Sequence, residues 1–170
     1  ERYEWKTLEE VCENIITGNS IKKSDIKVGK YPYYGANKII CFIDKYNYDG
    51  EYLLIGRAGS SGKINYVNDK FNANDNVFLI TCKNVRYLYY LLSSGYYFKN
   101  YIKDGVIPVI NKTNMCRIKI PVPSVELQQS IVEYLDNLFE GKDITIQDIS
   151  NYYEGKDIFD LLLNEDFELF

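Results

Sequence analysis

Apolar residues recur along this chain with two different periods, and the changes of period divide it. From Trp5 to Ile16 they fall at Trp5, Leu8, Val11, Cys12, Ile15 and Ile16, a helical spacing that predicts a helix ending near Gly18. Short runs rich in β-branched and aromatic residues follow. Tyr31-Pro32-Tyr33-Tyr34 leads into a Gly35-Ala36-Asn37 turn, and Lys38 to Ile43 then reads as a strand. Further strands are expected at Glu51–Ile55, Lys63–Val67 and Asn76–Cys82, with turn chemistry at Asp49-Gly50, Gly59 to Gly62 and Asn68-Asp69. The helical period returns where Asn84 can cap Val85 to about Ser93, whose Leu88, Leu91 and Leu92 form a stripe suited to burial. Gly95 interrupts it, Tyr96 to Lys103 can form a second helix, and Arg117 to Pro121 alternates like a closing strand. Beyond the stiff Pro121-Val122-Pro123 step, Ser124 is placed to cap a helix over Val125 to Glu140. On it Leu127, Ile131, Leu135 and Leu138 share one face, widened by Val132 and Phe139. The pattern predicts an α+β fold: a small mixed or antiparallel sheet with packed helices, then a spacer-like helix and an acidic helical tail.

That tail holds a short repeat, Glu140-Gly141-Lys142-Asp143-Ile144 and Glu154-Gly155-Lys156-Asp157-Ile158. Two heptads separate the copies, but a glycine in each would interrupt a continuous coiled coil, so they read as helix ends. The tail Phe159 to Phe170 is both acidic and apolar, as suits a helix that docks on a partner or folds back.

Composition changes this picture in one respect, through charge. The chain has 170 residues, 46% hydrophobic and 15% aromatic, enough to bury a core, and a formal net charge of −4. Taken whole, that charge argues against a nucleic-acid partner. Divided at Pro123 it argues otherwise: residues 1–123 carry 18 Lys+Arg against 12 Asp+Glu, and residues 124–170 carry 2 against 12. A segment of +6 is followed by one of −10, which suggests two elements with different partners.

Histidine is absent, which removes His-based triads, HExxH zinc sites and any imidazole base. Cys12, Cys41, Cys82 and Cys116 form no CxxC pair and read as buried thiols of a reducing, cytoplasmic protein. The N-terminus shows neither an initiator Met nor an apolar leader, and no run approaches the ~20 apolar residues of a membrane span. No membrane partner, cofactor, metal ligand or catalytic residue is expected. The Glu-x-Lys triplets at Glu140 and Glu154 imitate part of a metal-dependent nuclease core but sit among glycines in the acidic segment, where a solvated helix end is the better account. Asp44, Asp49 and Glu51 read as surface charges.

The densest local cluster is Gly56-Arg57-Ala58-Gly59-Ser60-Ser61-Gly62-Lys63. A phosphate loop would need Gly where Arg57 stands and Ser or Thr where Ile64 stands. Two accounts stay open together: a glycine-rich hairpin connection, and a loop that brings Arg57, Ser60, Ser61 and Lys63 to a DNA phosphate or base edge. The 17 tyrosines concentrate in Tyr31/Tyr33/Tyr34, Tyr46/Tyr48 and Tyr87 to Tyr101, and most must be core or sheet residues. Their interleaving with Lys22, Lys23, Lys27, Lys30, Lys38 and Lys45 leaves room for a DNA-facing subset that spacing cannot single out. Asn72, Asn74, Asn76, Asn111 and Asn114, with Lys112 and Thr113, form amide-rich loops that can read adenine or simply build turns.

The order of these segments resembles one known family. Trp5-Lys-Thr-Leu-Glu-Glu-Val-Cys12, then Ile16-Thr17-Gly18, a lysine-rich stretch and Tyr31-Pro-Tyr-Tyr-Gly-Ala-Asn37 look like the opening of a target recognition domain from the DNA specificity subunit of type I restriction-modification systems. Leu53-Leu-Ile-Gly-Arg-Ala-Gly59 to Lys63, Asn74-Asp75-Asn76-Val77-Phe78, and Ile118-Lys-Ile-Pro-Val-Pro-Ser-Val-Glu-Leu-Gln-Gln129 with Ile131-Val132 continue the likeness, which spans roughly residues 3–140. The resemblance implies a non-catalytic, sequence-specific reader of double-stranded DNA. Its partners would be a methyltransferase subunit that modifies adenine N6 and a second recognition half, in another subunit copy or the same one. Residues 1–123 would be the recognition domain, 124–140 the spacer or dimerisation helix of coiled-coil type and 141–170 an acidic tail. The length suits a half-subunit or a fragment. Lys22, Lys23, Tyr33, Tyr34, Asn37, Arg57, Ser60, Ser61, Lys63, Asn74, Asn111, Lys112 and Asn114 are the candidate DNA contacts, and Leu127, Ile131, Leu135 and Leu138 the candidate partner contacts. The alternative from the −10 segment is an interaction module or inhibitor acting through its acidic tail.

Overall fold

The computed structural model describes residues 3–57, 64–93, 95–101 and 109–139. Its centre is a six-stranded sheet. The strands are β1 (Tyr3–Thr7), β2 (Cys12–Thr17), β3 (Val28–Tyr34), β4 (Ile39–Ile43), β5 (Tyr48–Gly56), β6 (Ile64–Ala73), β7 (Val77–Cys82) and β8 (Lys119–Pro123). The order in the large sheet is β2-β7-β5-β6-β3-β4, and β1 and β8 form a separate antiparallel pair. All pairings are antiparallel except β3 with β6, which meet in parallel at Tyr33↔Asn72 and Tyr34↔Ala73. The α+β expectation holds.

The opening departs from expectation. The stretch read as a helix is strand, one helical turn, strand: β1, then α1 (Leu8–Val11), then β2. Thr7 and Glu10 form a capping box, with Thr7 Oγ1 accepting from the Glu10 amide at 3.3 Å and Glu10 Oε2 accepting from the Thr7 amide at 2.7 Å. The bond from the Thr7 amide holds the Glu10 carboxyl below its ordinary pKa. The helical periodicity was incidental: Leu8 and Ile15 are buried, while Trp5 and Ile16 are 53% and 40% exposed, so no continuous apolar face exists. Two expected turns also lie inside strands. Asp49-Gly50 belongs to β5, with Gly50 at φ 130°, and Asn68-Asp69 belongs to β6, opposite Glu51 and Gly50.

Leu53, Leu54 and Ile55 are all buried although they alternate sides, because both faces of the sheet are covered. One face packs Leu53, Ile55, Ile64, Phe78 and Ile80 against the helices. The other packs Leu54, Val67, Phe71, Ala73, Val77 and Leu79 under a lid of Tyr34, Tyr48 and Tyr52. The registers explain how so small a sheet closes on both sides. β6 runs away from Ile55, where it starts, yet β7 begins beside Gly56. Only a strongly curled β6 lets the turn of residues 74–76 join its far end to β7.

Helix α2 (Val85–Ser93) begins as expected at Asn84, whose Oδ1 accepts from the Tyr87 amide at 3.1 Å, and it ends at Gly95, at φ 75° with its amide bonded to the Leu92 carbonyl at 3.1 Å. Tyr96–Tyr101 is a 3-10 segment, and the rest of the helix expected to Lys103 lies outside the described residues. A short α3 (Lys112–Cys116) precedes β8. Helix α4 (Val125–Phe139) starts where Ser124 Oγ accepts from the Leu127 amide at 3.2 Å. The acidic tail and its repeat lie outside the described residues.

The four thiols are half-buried and not fully enclosed. Cys12 and Cys82 face each other across the β2–β7 ladder. Burial pushes the Cys12 thiol up to about 12, helped by Cys82 and Cys116, and pushes Cys82 up to about 11.

Candidate nucleic-acid interface

The Ala73–Val77 turn gathers the loops that carry most of the candidate residues. Arriving from β2, Gly18 donates its amide to the Val77 carbonyl and Asn19 donates to the Ala73 carbonyl, each at 3.0 Å. A Cβ on Gly18 would come within 2.2 Å of the Asn74 carbonyl oxygen, so only glycine allows this approach. From β3, the Tyr34 carbonyl accepts from the Asn74 amide at 2.9 Å; from β5, the Arg57 amide donates to the Asn76 carbonyl at 2.9 Å. The Ile110 amide then donates to the Arg57 carbonyl at 3.2 Å, which brings in the segment before α3. Five separate stretches of sequence thus meet through backbone hydrogen bonds.

The side chains at this node divide into scaffold and exposed groups. Tyr33 is 4% exposed and its hydroxyl accepts from the Ile21 amide at 3.1 Å, so it anchors the Lys22–Lys23 loop from within the core. Ser20 Oγ donates to Asp75 Oδ1 at 2.6 Å and ties the same loop to the turn. Lys22 and Lys23 stand exposed on a loop held at both ends. Tyr34 is half-buried, edge-on to Phe71 at 5.8 Å, and burial raises its hydroxyl pKa with help from Asp69. Asn74 Oδ1 accepts from the Asn76 amide at 3.0 Å, and Asn111 Oδ1 caps α3 by accepting from the Asn114 amide at 2.8 Å. Those carbonyl oxygens are engaged in turns; Asn111 is exposed, while Asn74 is half-buried beside Gly35. Asn72 is interior, 1% exposed, donating to the Lys45 carbonyl at 2.8 Å. Asn37 and Lys112 are exposed, and Arg57 is half-buried with its guanidinium 5.4 Å above the Phe78 ring. Ser60, Ser61 and Lys63 lie outside the described residues.

A second group was only partly visible in the sequence. The edge hairpin of β3 and β4, closed by the Gly35 amide donating to the Lys38 carbonyl at 2.9 Å, presents Ile40 and Phe42 at 53% and 51% exposure. Beside it Lys30 Nζ lies 5.3 Å from the Tyr31 ring centre, Tyr31 and Tyr46 rings are 4.9 Å apart, and Lys70 Nζ is 5.1 Å from the Tyr46 ring. This is a ladder of two cations and two aromatic rings, with Lys30 and Tyr46 exposed and Tyr31 and Lys70 half-buried. Residues 21–47 carry six lysines against Asp25 and Asp44 alone, a local excess that attracts a polyanion. The signal for the ladder was the lysine–tyrosine interleaving; which tyrosines face outward depends on the β3–β4 bulges and could not be counted off.

The helix stripe meets a different fate from the one expected. Leu127, Ile131 and Leu135 are 3%, 2% and 0% exposed and belong to the main core with α2 and the sheet, and Leu138 packs against it. As a partner surface this stripe is corrected: its apolar area is consumed within the chain, because the sheet's helical face would otherwise lie bare. What α4 leaves outward is Val125, 67% exposed, with Glu126, Gln129, Glu133 and Asn137. Glu51 is exposed, as expected of a surface charge, and accepts a hydrogen bond from the Tyr66 hydroxyl.

No helix among the described residues is long and apolar enough to cross a membrane. Two kinds of comparison now bear on the class of molecule. Two solved structures share the fold: the S subunit of a type I restriction-modification system from M. genitalium, with a TM-score of 0.71 over 81% of this chain and 39% of that one at 19% identity, and the HsdS subunit of Thermoanaerobacter tengcongensis, with 0.60 over 95% and 42% at 20% identity. The family model of the type I restriction modification DNA specificity domain matches residues 1–152, and the chain belongs to that family. A protein of Haemophilus influenzae that carries the name of a type I restriction enzyme specificity subunit is 34% identical over 143 residues, covering 79% of this chain and 37% of that protein. The EcoprrI specificity subunit of Escherichia coli is 27% identical over 124 residues, covering 71% and 30%. The chain therefore spans well under half the length of these relatives.

Proposed function

We propose that the chain is one DNA-recognition half of a type I specificity subunit, reading duplex DNA without performing chemistry on it. Residues 1–123 are the recognition unit, 124–140 the spacer helix, and 141–170 an acidic extension. The single observation that carries this reading is the backbone-bonded meeting of the Lys22–Lys23 loop, the Arg57 strand end and the segment before Lys112 at the Ala73–Val77 turn, in a member of a DNA specificity family; Asn37 and the Lys30–Tyr31–Tyr46–Lys70 ladder would extend that surface. Lysines would neutralise phosphates, and exposed amides and Arg57 would address base edges. Adenine-N6 methylation would be the work of a separate methyltransferase subunit, and the acidic outward face of α4 would meet that subunit or a second recognition half in a cytoplasmic complex.

The test is selection of duplexes from a random pool, followed by a salt titration of the selected sequence. With four to six lysines on phosphates, log K against log salt falls with a slope of about −4 to −5. A slope near zero overturns the phosphate contacts, and failure to enrich any sequence overturns specific reading.

A further inference from the structure

Helix α4 is held to the rest of the chain by two unlike kinds of contact. The first is apolar and non-directional: Leu127, Ile131 and Leu135 in the main core. Such a seam fixes that the helix lies down, but it tolerates roll and pivoting about the Ser124 cap. The second is directional and lies at Asp136, next to Leu135 and about 18 Å along the helix from the Ser124 cap. Arg86, on α2, forms an ion pair through Nη2 with Asp136 Oδ1 and donates to the Tyr90 hydroxyl at 3.1 Å; the Tyr90 hydroxyl in turn donates to the same Asp136 oxygen at 2.6 Å. The guanidinium carbon sits 4.7 Å from the Tyr66 ring centre and 5.4 Å from that of Tyr90. Tyr66, on β6, is itself steered by its bond to Glu51 on β5. One planar cation is thus held between sheet, helix α2 and helix α4 in a half-buried site, its Nη2 bonding both the Asp136 carboxylate and the Tyr90 hydroxyl while its plane lies against the Tyr66 and Tyr90 rings.

It is placed in the last described turn of α4, beside Leu138 and Phe139, which pack against the main core. We propose that Arg86 is a positioning residue that sets the orientation of α4 on the recognition unit. If the proposed function is right, the same clamp sets the separation of the two DNA half-sites that the assembled subunit reads. The Tyr66 phenol, pushed up to about 12 by burial and by Glu51, stays protonated as the donor that this arrangement requires.

The test uses the full chain without DNA. Spin labels attached through a keto amino acid at Lys83 and Glu133, both exposed, leave the four native thiols untouched and report the distance between the β7–α2 turn and α4. Arg86→Met and Asp136→Asn are expected to shift the mean distance by at least about 2 Å, close to the radius of a helix backbone, or to broaden the distribution by that amount. Arg86→Lys, which keeps the charge and loses the fork, should do the same, and the swap Arg86→Asp with Asp136→Arg should restore part of the wild-type distribution. Circular dichroism at the same temperature confirms that each variant is folded. An unchanged distribution in folded Asp136→Asn and Arg86→Lys overturns the proposal, whatever happens to the melting temperature. Should Arg86→Met not fold, those two variants still decide. Failure of the wild-type chain to bind DNA overturns the proposed function but leaves this distance measurement intact.

Discussion

The β3–β4 edge and the α2–α4 seam are built from the same side chains, tyrosines beside cations, and use them for opposite ends. At the edge, Lys30 and Lys70 lie over Tyr31 and Tyr46 with no carboxylate bonded to either cation among the described contacts. At the seam, Arg86 lies over Tyr66 and Tyr90 and is neutralised by Asp136. Burial opposes the charge on Arg86, yet the Asp136 bond and charge outweigh it and raise its pKa. What separates the two is whether the cation's charge is already answered inside the fold. An answered charge orders the structure; an unanswered one at the surface remains available to a polyanion.

The largest test of that contrast is to truncate one apolar residue in each region. Leu135→Ala, fully buried at the seam, should cost about 3 kcal/mol in urea unfolding, whereas Phe42→Ala, half exposed at the edge, should stay within about 0.5 kcal/mol. Equal losses would mean that the edge is part of the core and not a surface kept open. Next comes alkaline pH. Cys12, Cys82 and Tyr66 have folded-state pKa values raised to about 12, 11 and 12, from ordinary values of 9.0 and 10.0. Because burial favours their protonated forms, the stability they contribute is complete below about pH 9 and is lost as pH rises toward 12. Melts by circular dichroism across that window should show the decline, and a flat profile would contradict the burial of these groups.

A smaller effect is expected at the start of α4. Ser124→Ala removes the acceptor for the Leu127 amide and should cost about 1 kcal/mol, measured by the same unfolding. The smallest effect on stability should come from the ladder. Lys30→Ala and Lys70→Ala should each leave the melting temperature unchanged and reduce the salt slope of duplex binding by about 1. A change in melting temperature without a change in slope would reassign both lysines to the scaffold.

Element by element, the sequence was legible where the local signal and the tertiary outcome coincide. Asn84 and Ser124 cap the helices they were expected to cap, and β4, β5 and β7 lie where β-branched runs placed them. It misled at Trp5 to Ile16, where the spacing of apolar residues fits a helix but the Ile15-Ile16-Thr17 run pairs with β7, so one side of each residue is already spent on the ladder. The candidate site was legible as a composition, lysines among tyrosines and asparagines, and not as a geometry. Tyr33 and Asn72 look no different in sequence from Tyr31 and Asn37, yet the first two are interior and the others are not.

By itself the sequence determined the class of fold, the basic character of the first 123 residues against the acidic remainder, and the order of motifs that marks the family. Those depend on residue identity and near neighbours alone. Only the tertiary structure decided that the Leu127–Ile131–Leu135 stripe is spent on the chain's own core, that four other parts of the chain gather at the Ala73–Val77 turn, and that Arg86 is the cation locked to Asp136 while Lys30 and Lys70 have no such carboxylate among the described contacts. The physical reason is that burial is a property of pairs of distant segments. An apolar face or a charge acquires its role from whatever the curled β6 and the packed helices bring opposite it, and no local pattern records that.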